Sequence, residues 1–474
     1  MINRVLIRVK VVQMLYSYLL TRSEFKIDEA PESASRDRRY AYSAYIDLLL
    51  LLLSLSGYPV KAGMKSTLQV VDPKLSGNKV AKALASNDAI RSAILRDNGY
   101  IGSMNYILPS IHEKIVKSSV FADYSKKGKN IELADDVSLW IAVFETIIAR
   151  DPKVEDAMRS NPNFTIVGFQ AAINAVCNTL RSYNDSRQLL LKAKNDLDTS
   201  LTQAYDLYVS LLNLIIELTD ALAERQENAK NKYITTSDDL NPNTRLVDNA
   251  LVAYLRNSED FARHVKDVKM TLVSPTSNVL RTLLDNILAS DIYDKYIKEE
   301  VTDFSRDVDF WRDVMRTIIL PSDALAEEME DRSVFWNDDI NIMGTFVLKT
   351  LRKIGQSEGR QVDLLPKYKD NEDEVFGRDL FMAAVNNYED YRKYIDMFVD
   401  SKHWDSDRIA YMDIVIIVTA ITEIIKYPLI PLPVSINEYV ELANNYSTDK
   451  SGSFVNGILF SVSNYLKEQG VISK

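Results

Sequence analysis

The segment at residues 433–459 reads PVSINEYVELANNYSTDKSGSFVNGIL. Ser435 and Glu438 have the spacing of a capping box, in which each side chain satisfies a backbone N–H group of the other, so we expect a helix over 436–444. The prolines at 428, 431 and 433 predict non-helical backbone immediately before it. A short polar loop follows and leads into a last helix. This segment therefore predicts a pair of helices at the end of the chain.

Helical spacing continues outward from this segment through the whole chain. A representative stretch has apolar residues at the three- and four-residue intervals of one helix face: Leu207, Leu211, Leu214, Ile215 and Leu218. We find no sustained two-residue alternation of the kind that marks a strand. The 14 glycines and 13 prolines are few for 474 residues, which favours helices over turn-rich sheets. The predicted fold class is all-α.

An internal duplication is indicated by residues that recur at a nearly constant offset. The segment at 42–49 parallels 205–212, at an offset of 163. Further matches hold at 171 or 172: Ser118 with Ser290, Tyr124 with Tyr296, Asp136 with Asp307, Trp140 with Trp311, Met158 with Met329, Phe164 with Phe335, and Thr179 with Thr350. Since chance rarely holds one register so long, the sequence predicts tandem helical repeats.

Composition excludes several classes of protein. A net charge of -10 argues against a protein that coats nucleic acid nonspecifically, so any RNA site must be local. Cys177 is the only cysteine and the three histidines are scattered, which predicts no disulfide framework, no metal site and a reducing cytoplasm. The apolar runs are too short to cross a membrane, since spanning needs roughly 20 apolar residues. With no phosphate-binding glycine loop or nucleophile elbow, we expect no catalytic residues, no cofactor and no enzyme.

The segment at 433–459, together with VQMLYSY at 12–18, resembles the NusB family of transcription antitermination factors. The resemblance covers residues 375–470 and about the first twenty, while members of the family are normally much shorter. It implies a NusB-like helical bundle with inserted tandem helical repeats. We accordingly predict a first core helix at 1–22, repeat units at 23–190 and 191–355, a linker at 356–374 and a C-terminal core at 375–474.

By this resemblance, the chain binds single-stranded RNA from the leader of ribosomal RNA operons. It does so beside a NusE-like small-subunit ribosomal protein, within the antitermination complex of RNA polymerase. The family's arginine-rich turn is reduced here to Arg4, Arg8 and Lys10. Residues 1–22 nevertheless contain four basic side chains and no acidic one. Arg4 and Arg8 are four residues apart and share a helix face, so we expect both to contact phosphates.

The second part of the expected RNA site is the loop before the last helix. Lys450 can supply charge, Ser451 and Ser453 hydroxyl groups, Phe454 a stacking surface and Asn456 a donor and an acceptor. Each residue also has a purely structural interpretation. The arginine stems can cover an apolar core, Phe454 can belong to a buried stripe, and the serines can cap the helix.

The function predicted from the sequence is RNA-binding transcription antitermination on ribosomal RNA operon transcripts. The alternative is a protein-interaction scaffold that keeps the fold but has lost specific RNA binding. Two features motivate that alternative: the small number of basic side chains at residues 1–22, here called the basic island, and the large acidic duplication. The RNA-binding hypothesis depends on whether the two ends of the chain come together in the fold and form one small cationic groove. If they do not, only the helical scaffold remains.

Overall fold

A computed structural model of the protein describes residues 2–22, 35–58, 68, 70–86, 106–128, 130–269, 272–273, 278–300, 303–333, 336, 339–399 and 409–474. Every regular element in these ranges is a helix, which confirms the all-α class. Within these ranges, no helix is long and apolar enough to cross a membrane. Phe335, which was used in the repeat comparison, lies outside the described residues.

The chain forms two compact units. One consists of Met1–Leu20 and Ala193–Lys474, and the other of Thr21–Lys192. The five-part division expected from the sequence is finer than this and stays a prediction.

The helices of the described residues are numbered here in chain order. The unit formed by Met1–Leu20 and Ala193–Lys474 contains the first helix and the helices from α10 onward. These are α1 (Arg4–Thr21), α10 (Ser237–Leu240), α11 (Ala250–Asn257), α12 (Glu259–Asp267), α13 (Val279–Leu288), α14 (Asp291–Lys298), α15 (Phe304–Val314), α16 (Asp323–Arg332), α17 (Asp339–Gln356), α18 (Asn371–Asn386), α19 (Tyr388–Phe398), α20 (Tyr411–Lys426), α21 (Leu432–Tyr446) and α22 (Ser451–Glu468). The other unit holds α2 (Arg36–Leu55), α3 (Pro73–Ser76), α4 (Lys79–Ser86), α5 (Leu108–Lys117), α6 (Ser119–Lys126), α7 (Leu133–Thr146) and α8 (Pro152–Arg159). The boundary between the units falls inside α9 (Ile166–Lys230).

A buried polar cluster organises the first copy of the repeat. The Tyr124 hydroxyl donates to Asp136 Oδ1 at 2.6 Å, and Asp136 Oδ2 accepts the backbone N–H of Lys79 at 2.7 Å. Asn78, just before α4, accepts two further N–H groups of that helix. These bonds satisfy N–H groups that a helix start otherwise leaves unpaired, so they fix α4 against α6 and α7.

The second copy contains the same cluster in the same geometry. The Tyr296 hydroxyl donates to Asp307 Oδ1 at 2.7 Å, and Asp307 Oδ2 accepts the N–H of Ala250 at 2.6 Å. Asn249 accepts two N–H groups at the start of α11, as Asn78 does at the start of α4. Identical hydrogen bonds at equivalent positions show that the sequence register reflects a duplicated structure.

A second pair of equivalent bonds explains the length of α9, which has 65 residues. In the first copy the Tyr45 hydroxyl, in α2, is 3.0 Å from Thr179 Oγ1 in α9. In the second copy the Tyr208 hydroxyl, also in α9, is 2.7 Å from Thr350 Oγ1 in α17. The last helix of the first copy and the first helix of the second are therefore one continuous helix.

The first helix packs against the C-terminal core, more than three hundred residues away in sequence. The ring centroids of Tyr16 and Tyr411 lie 5.7 Å apart, and those of Tyr18 and Phe381 lie 6.2 Å apart. A Cβ atom on Gly377 would lie 2.8 Å from Ile7 Cγ2, closer than real Cβ contacts occur, so glycine permits this approach of α1 to α18. The two ends of the chain thus come together.

The expected capping box at Ser435 is wrong. α21 begins at Leu432, four residues earlier than predicted, with Pro431 as the residue before it. Proline is tolerated in the first turn of a helix because its missing N–H would be unpaired there anyway, so Pro433 does not prevent this start. Ser435 instead lies inside the helix, and its hydroxyl donates to Glu423 Oε1 at 2.7 Å.

Candidate nucleic-acid interface

The expected RNA-binding residues lie at the two ends of α20. This helix is buried over most of its length and carries two buried carboxyl groups, Asp413 near its start and Glu423 near its end. Ten residues separate them, which corresponds to about 15 Å along a helix at 1.5 Å per residue. Each carboxyl group contacts one of the two segments to which the sequence assigned RNA binding.

Glu423 binds Arg8 in a buried ion pair. Arg8 Nε lies 2.8 Å from Oε2 and Nη2 lies 2.9 Å from Oε1, so the contact is bidentate. The Tyr439 hydroxyl also donates to Oε2, at 3.0 Å, beside the bond from Ser435 to Oε1. The side chains of Arg8 and Glu423 are 4% and 0% exposed, which leaves the guanidinium inaccessible to an RNA phosphate.

The surroundings of Arg8 and Tyr439 decide whether each side chain is protonated. Burial alone would lower the pKa of Arg8, but the hydrogen bonds and charge attraction of Glu423 outweigh it and raise the pKa above its usual value. Burial, followed by the charge of Glu423, raises the pKa of Tyr439 well above its usual value, so the hydroxyl remains a donor. Glu438 lies 3.7 Å from Arg8 Nη1 and adds a second carboxylate.

The other basic side chains of α1 are also paired. Arg4 Nε lies 2.6 Å from Asp373 Oδ1, and Arg4 Nη2 lies 3.5 Å from Glu372 Oε2. Lys10 Nζ lies 2.7 Å from Asp339 Oδ1 in a fully buried contact. Arg4 remains 31% exposed.

The structure buries the guanidinium of Arg8 against Glu423, whereas Arg4 keeps 31% of its side chain exposed, and RNA contact by the two residues stays a prediction. The two residues do share a face, since both guanidinium groups lie over the ring of Phe376, at 5.0 and 5.8 Å. That face is turned toward carboxylates of the core. Its role in the fold is to attach α1 to α18 and α20.

The loop before α22 forms the other end of the candidate interface. The Ser451 hydroxyl donates to Asp413 Oδ2 at 2.8 Å and accepts the backbone N–H of Thr448 at 3.1 Å. Ser451 is 1% exposed, so its hydroxyl holds the loop against α20. A cavity of about 320 Å³ opens beside this contact, and its lining includes Ile409, Asp413, Lys450 and Phe454.

The remaining predicted residues are accessible. Lys450, Ser453 and Asn456 are exposed, and Phe454 is half-buried at the wall of the cavity. Gly457 follows on the same exposed face of α22, and a Cβ atom there would meet nothing within 4 Å. The structure brings these loop residues together with one another. It does not bring them together with Arg4 and Arg8.

Sequence reasoning missed both carboxyl groups of α20 and also Tyr16. Tyr16 is the residue of α1 that approaches this end of α20, through its ring contact with Tyr411. Glu423 could have been found, because a lone acidic residue within the apolar run at 414–425 predicts a buried cationic partner. Asp413 gave no such signal, since a helix commonly begins with an acidic residue.

Comparison with known proteins gives a consistent result. The model of the NusB family matches residues 345–464. The chain is similar to the transcription antitermination protein NusB of Salinibacter ruber, with 32% identity over 134 residues, which cover 27% of this chain and 82% of that protein. It is similar to the protein of the same name from Natranaerobius thermophilus, with 37% identity over 118 residues, covering 21% of this chain and 84% of the relative.

A third relative matches over a shorter segment. The transcription antitermination protein NusB of Methylacidiphilum infernorum is 52% identical over 69 residues, which cover 15% of this chain and 46% of that protein. No solved structure matches the chain.

Proposed function

We propose the function of this chain from one premise, namely that the chain belongs to the NusB family. Its role is then that of a non-enzymatic, RNA-binding transcription antitermination factor of the cytoplasm. We propose that it acts on transcripts of ribosomal RNA operons, together with a NusE-like small-subunit ribosomal protein and the antitermination complex of RNA polymerase. The duplicated units add further helices to the scaffold of the family core.

One observation carries the proposal: the cavity at the start of α22 combines a cation, an aromatic wall and exposed polar side chains. Lys450 supplies the charge and Phe454 the stacking surface, while Ser453 and Asn456 lie exposed beside them. Unstacked bases of single-stranded RNA are bound by this combination of groups. We therefore assign RNA contact to these loop residues, and we assign Arg8 to positioning α1.

The test is filter binding of the full chain to a ribosomal-leader RNA fragment and to a scrambled RNA of equal length. We expect tighter binding of the leader fragment, and equal affinity for the two would contradict specific recognition. Lys450→Ala should weaken binding of both RNAs. Lys467→Ala is the matched control, because Lys467 is exposed in the last turn of the same helix, about 25 Å from Lys450.

The salt dependence of binding gives an independent measurement. One phosphate contacted by Lys450 corresponds to a slope of about -0.7 in a log-log plot of affinity against salt, and two contacts to about -1.4. We expect a slope in this range, because Arg8 and Lys10 are buried in ion pairs. A slope steeper than about -2 would require a cationic surface that this site does not provide.

The neutralised basic side chains of α1 favour a second candidate, a protein-interaction scaffold without specific RNA binding. Arg4, Arg8 and Lys10 all have carboxylate partners, which removes most of the basic island that the sequence contains. Affinity capture with and without ribonuclease separates the two candidates. A scaffold should retain its partners after the RNA is destroyed, whereas an RNA-dependent factor should lose them.

A further inference from the structure

The second repeat holds the C-terminal core on one face, which is formed where the first and last helices of the repeat begin. Asp198 in α9 pairs with Arg378 of α18 at 2.5 Å. Asp339, at the start of α17, pairs with Lys10 of α1 at 2.7 Å. This face is therefore acidic, and the two elements that dock on it are helices with basic side chains.

The first repeat has an equivalent face, here called the first-repeat face, which consists of residues 35–39 at the start of α2 and 165–168 at the start of α9. The offset of 163 relates residue 35 to Asp198 of the second repeat. The offset of 171 relates Gly168 to Asp339. The duplication thus supplies a second copy of a surface that is used for docking helices.

The two helix starts on the first-repeat face pack directly on each other. A Cβ atom on Gly168 would lie 2.8 Å from the backbone oxygen of Asp37, closer than real Cβ contacts occur. Arg36 Nη2 donates to the backbone oxygen of Pro162, in the turn before α9, at 2.9 Å. These contacts make the first-repeat face one continuous surface.

The exposed side chains of the first-repeat face are basic and aliphatic. Three arginines are exposed in the first turns of α2, namely Arg36, Arg38 and Arg39. Ile166 and Val167 are 65% and 67% exposed in the first turn of α9. Apolar side chains beside arginines are typical of protein interfaces. The charge of this face is opposite to that of its equivalent in the second repeat.

We propose that the first-repeat face docks an acidic amphipathic helix of a partner protein. The equivalent face of the second repeat binds helices, and a reversed charge on the face calls for a reversed charge on the helix. Carboxylates of the partner meet Arg36 and Arg38, while its apolar residues cover Ile166 and Val167. The charge of the whole unit agrees, since residues 21–192 contain 23 lysines and arginines against 19 aspartates and glutamates, and the rest of the chain contains 34 against 48.

Single-stranded RNA is the competing occupant, because arginines also bind phosphates. Its bases, however, bind by stacking on exposed aromatic rings. The rings that adjoin the first-repeat face are occupied within the protein. Tyr40 is 1% exposed, and the ring of Phe164 lies between Tyr40, at 5.3 Å, and the guanidinium of Arg159, at 4.7 Å. The exposed apolar side chains are aliphatic instead, which favours a protein helix.

The experiment measures binding of the full chain to a fluorescent peptide of about 18 residues, or five helical turns, with glutamates and leucines on one face. We expect binding that weakens as salt is raised, because charge pairs contribute to it. A scrambled peptide of the same composition, which has no amphipathic face, should bind about tenfold more weakly. Arg38→Ser combined with Val167→Ser should also weaken binding about tenfold, since it removes one ionic and one apolar contact.

The matched control combines Lys82→Ser with Leu191→Ser, which removes one exposed cation and one exposed aliphatic side chain elsewhere in the same unit. We expect the affinity of this control to stay within about twofold of that of the natural chain. Circular dichroism verifies that both variants are folded. The comparison of the two peptides uses the natural chain alone and does not depend on any variant.

Three results overturn the proposal. The first is equal binding of the two peptides, or equal weakening by the two pairs of substitutions. The second is binding of a U-rich RNA hexamer that Arg38→Ser with Val167→Ser abolishes, which assigns the face to nucleic acid. The third is a dimer in sedimentation that the same substitutions dissociate, which assigns the face to a second copy of this chain.

Discussion

Replacing Arg8 tests whether the ion pair with Glu423 holds α1 on the core. Arg8→Met keeps the apolar stem but removes two charge-assisted hydrogen bonds, at 2.8 and 2.9 Å, and leaves a buried carboxylate without its counter-charge. Breaking such a pair costs about 3–5 kcal/mol of unfolding free energy. Because Ser435 and Tyr439 continue to donate to Glu423, we expect a cost of about 3 kcal/mol.

The measurement is urea unfolding of the full chain followed by circular dichroism. Because the chain has two compact units, the curve should be fitted as more than one transition. Arg8→Met should shift the transition of the unit that contains α1 and leave the other in place. Arg181→Met is a suitable control, since its ion pair with Glu145 is exposed, lies in the other unit and contributes at most about 1 kcal/mol.

A double-mutant cycle isolates the interaction itself. Glu423→Gln keeps the shape of the side chain and removes its charge, so Arg8→Met should cost less in that background than in the natural chain. We expect a coupling energy of about 2 kcal/mol, as is found for residues in direct contact. Additivity within about 0.5 kcal/mol would refute the argument, because independent sites are the ones whose effects add.

Further predictions concern glycines, the cysteine and the repeats. Gly377→Ala should lower the melting temperature, because its Cβ atom would meet Ile7. Gly457→Ala should raise it, because an open helical glycine costs about 0.5–1 kcal/mol relative to alanine. Equal shifts of the two variants in thermal unfolding would contradict this contrast. Cys177 should react with a thiol reagent at pH 8 only after unfolding, since burial and then the nearby Glu145 raise its pKa to about 11; rapid labelling of the folded chain would refute it. Tyr124→Phe and Tyr296→Phe should each cost about 1–3 kcal/mol, in different unfolding transitions, and a large difference between them in urea unfolding would show that the two clusters are not equivalent.

The repeats could be predicted from the sequence because their structure depends on local, repeated contacts. Tyr124 and Asp136 are twelve residues apart, and the equivalent Tyr296 and Asp307 are eleven apart, so each pair lies within one short segment that sequence comparison can align. A copy of the segment preserves the hydrogen bond. The register of the repeat in the sequence therefore shows which residues form the equivalent hydrogen bond in each copy.

The candidate site could be predicted only in part, because its two halves depend on different kinds of information. The loop residues around Phe454 are contiguous in the sequence, so they lie close together in any fold. The orientation of Arg8 depends on Glu423, which is 415 positions away in the chain. Spacing of four residues shows that Arg4 and Arg8 share a face, but it does not show whether that face meets solvent or the core.

The continuous helix α9 also has a consequence for how the copy number of the repeat can change. Thr179 and Thr350 occupy equivalent positions, so recombination of the gene between their codons would delete residues 180–350 and join two helical segments in matching phase. The shortened product would contain one repeat and the same C-terminal core, with no new connecting loop to evolve. The reverse exchange would lengthen the protein by one whole repeat at the same position in the helix.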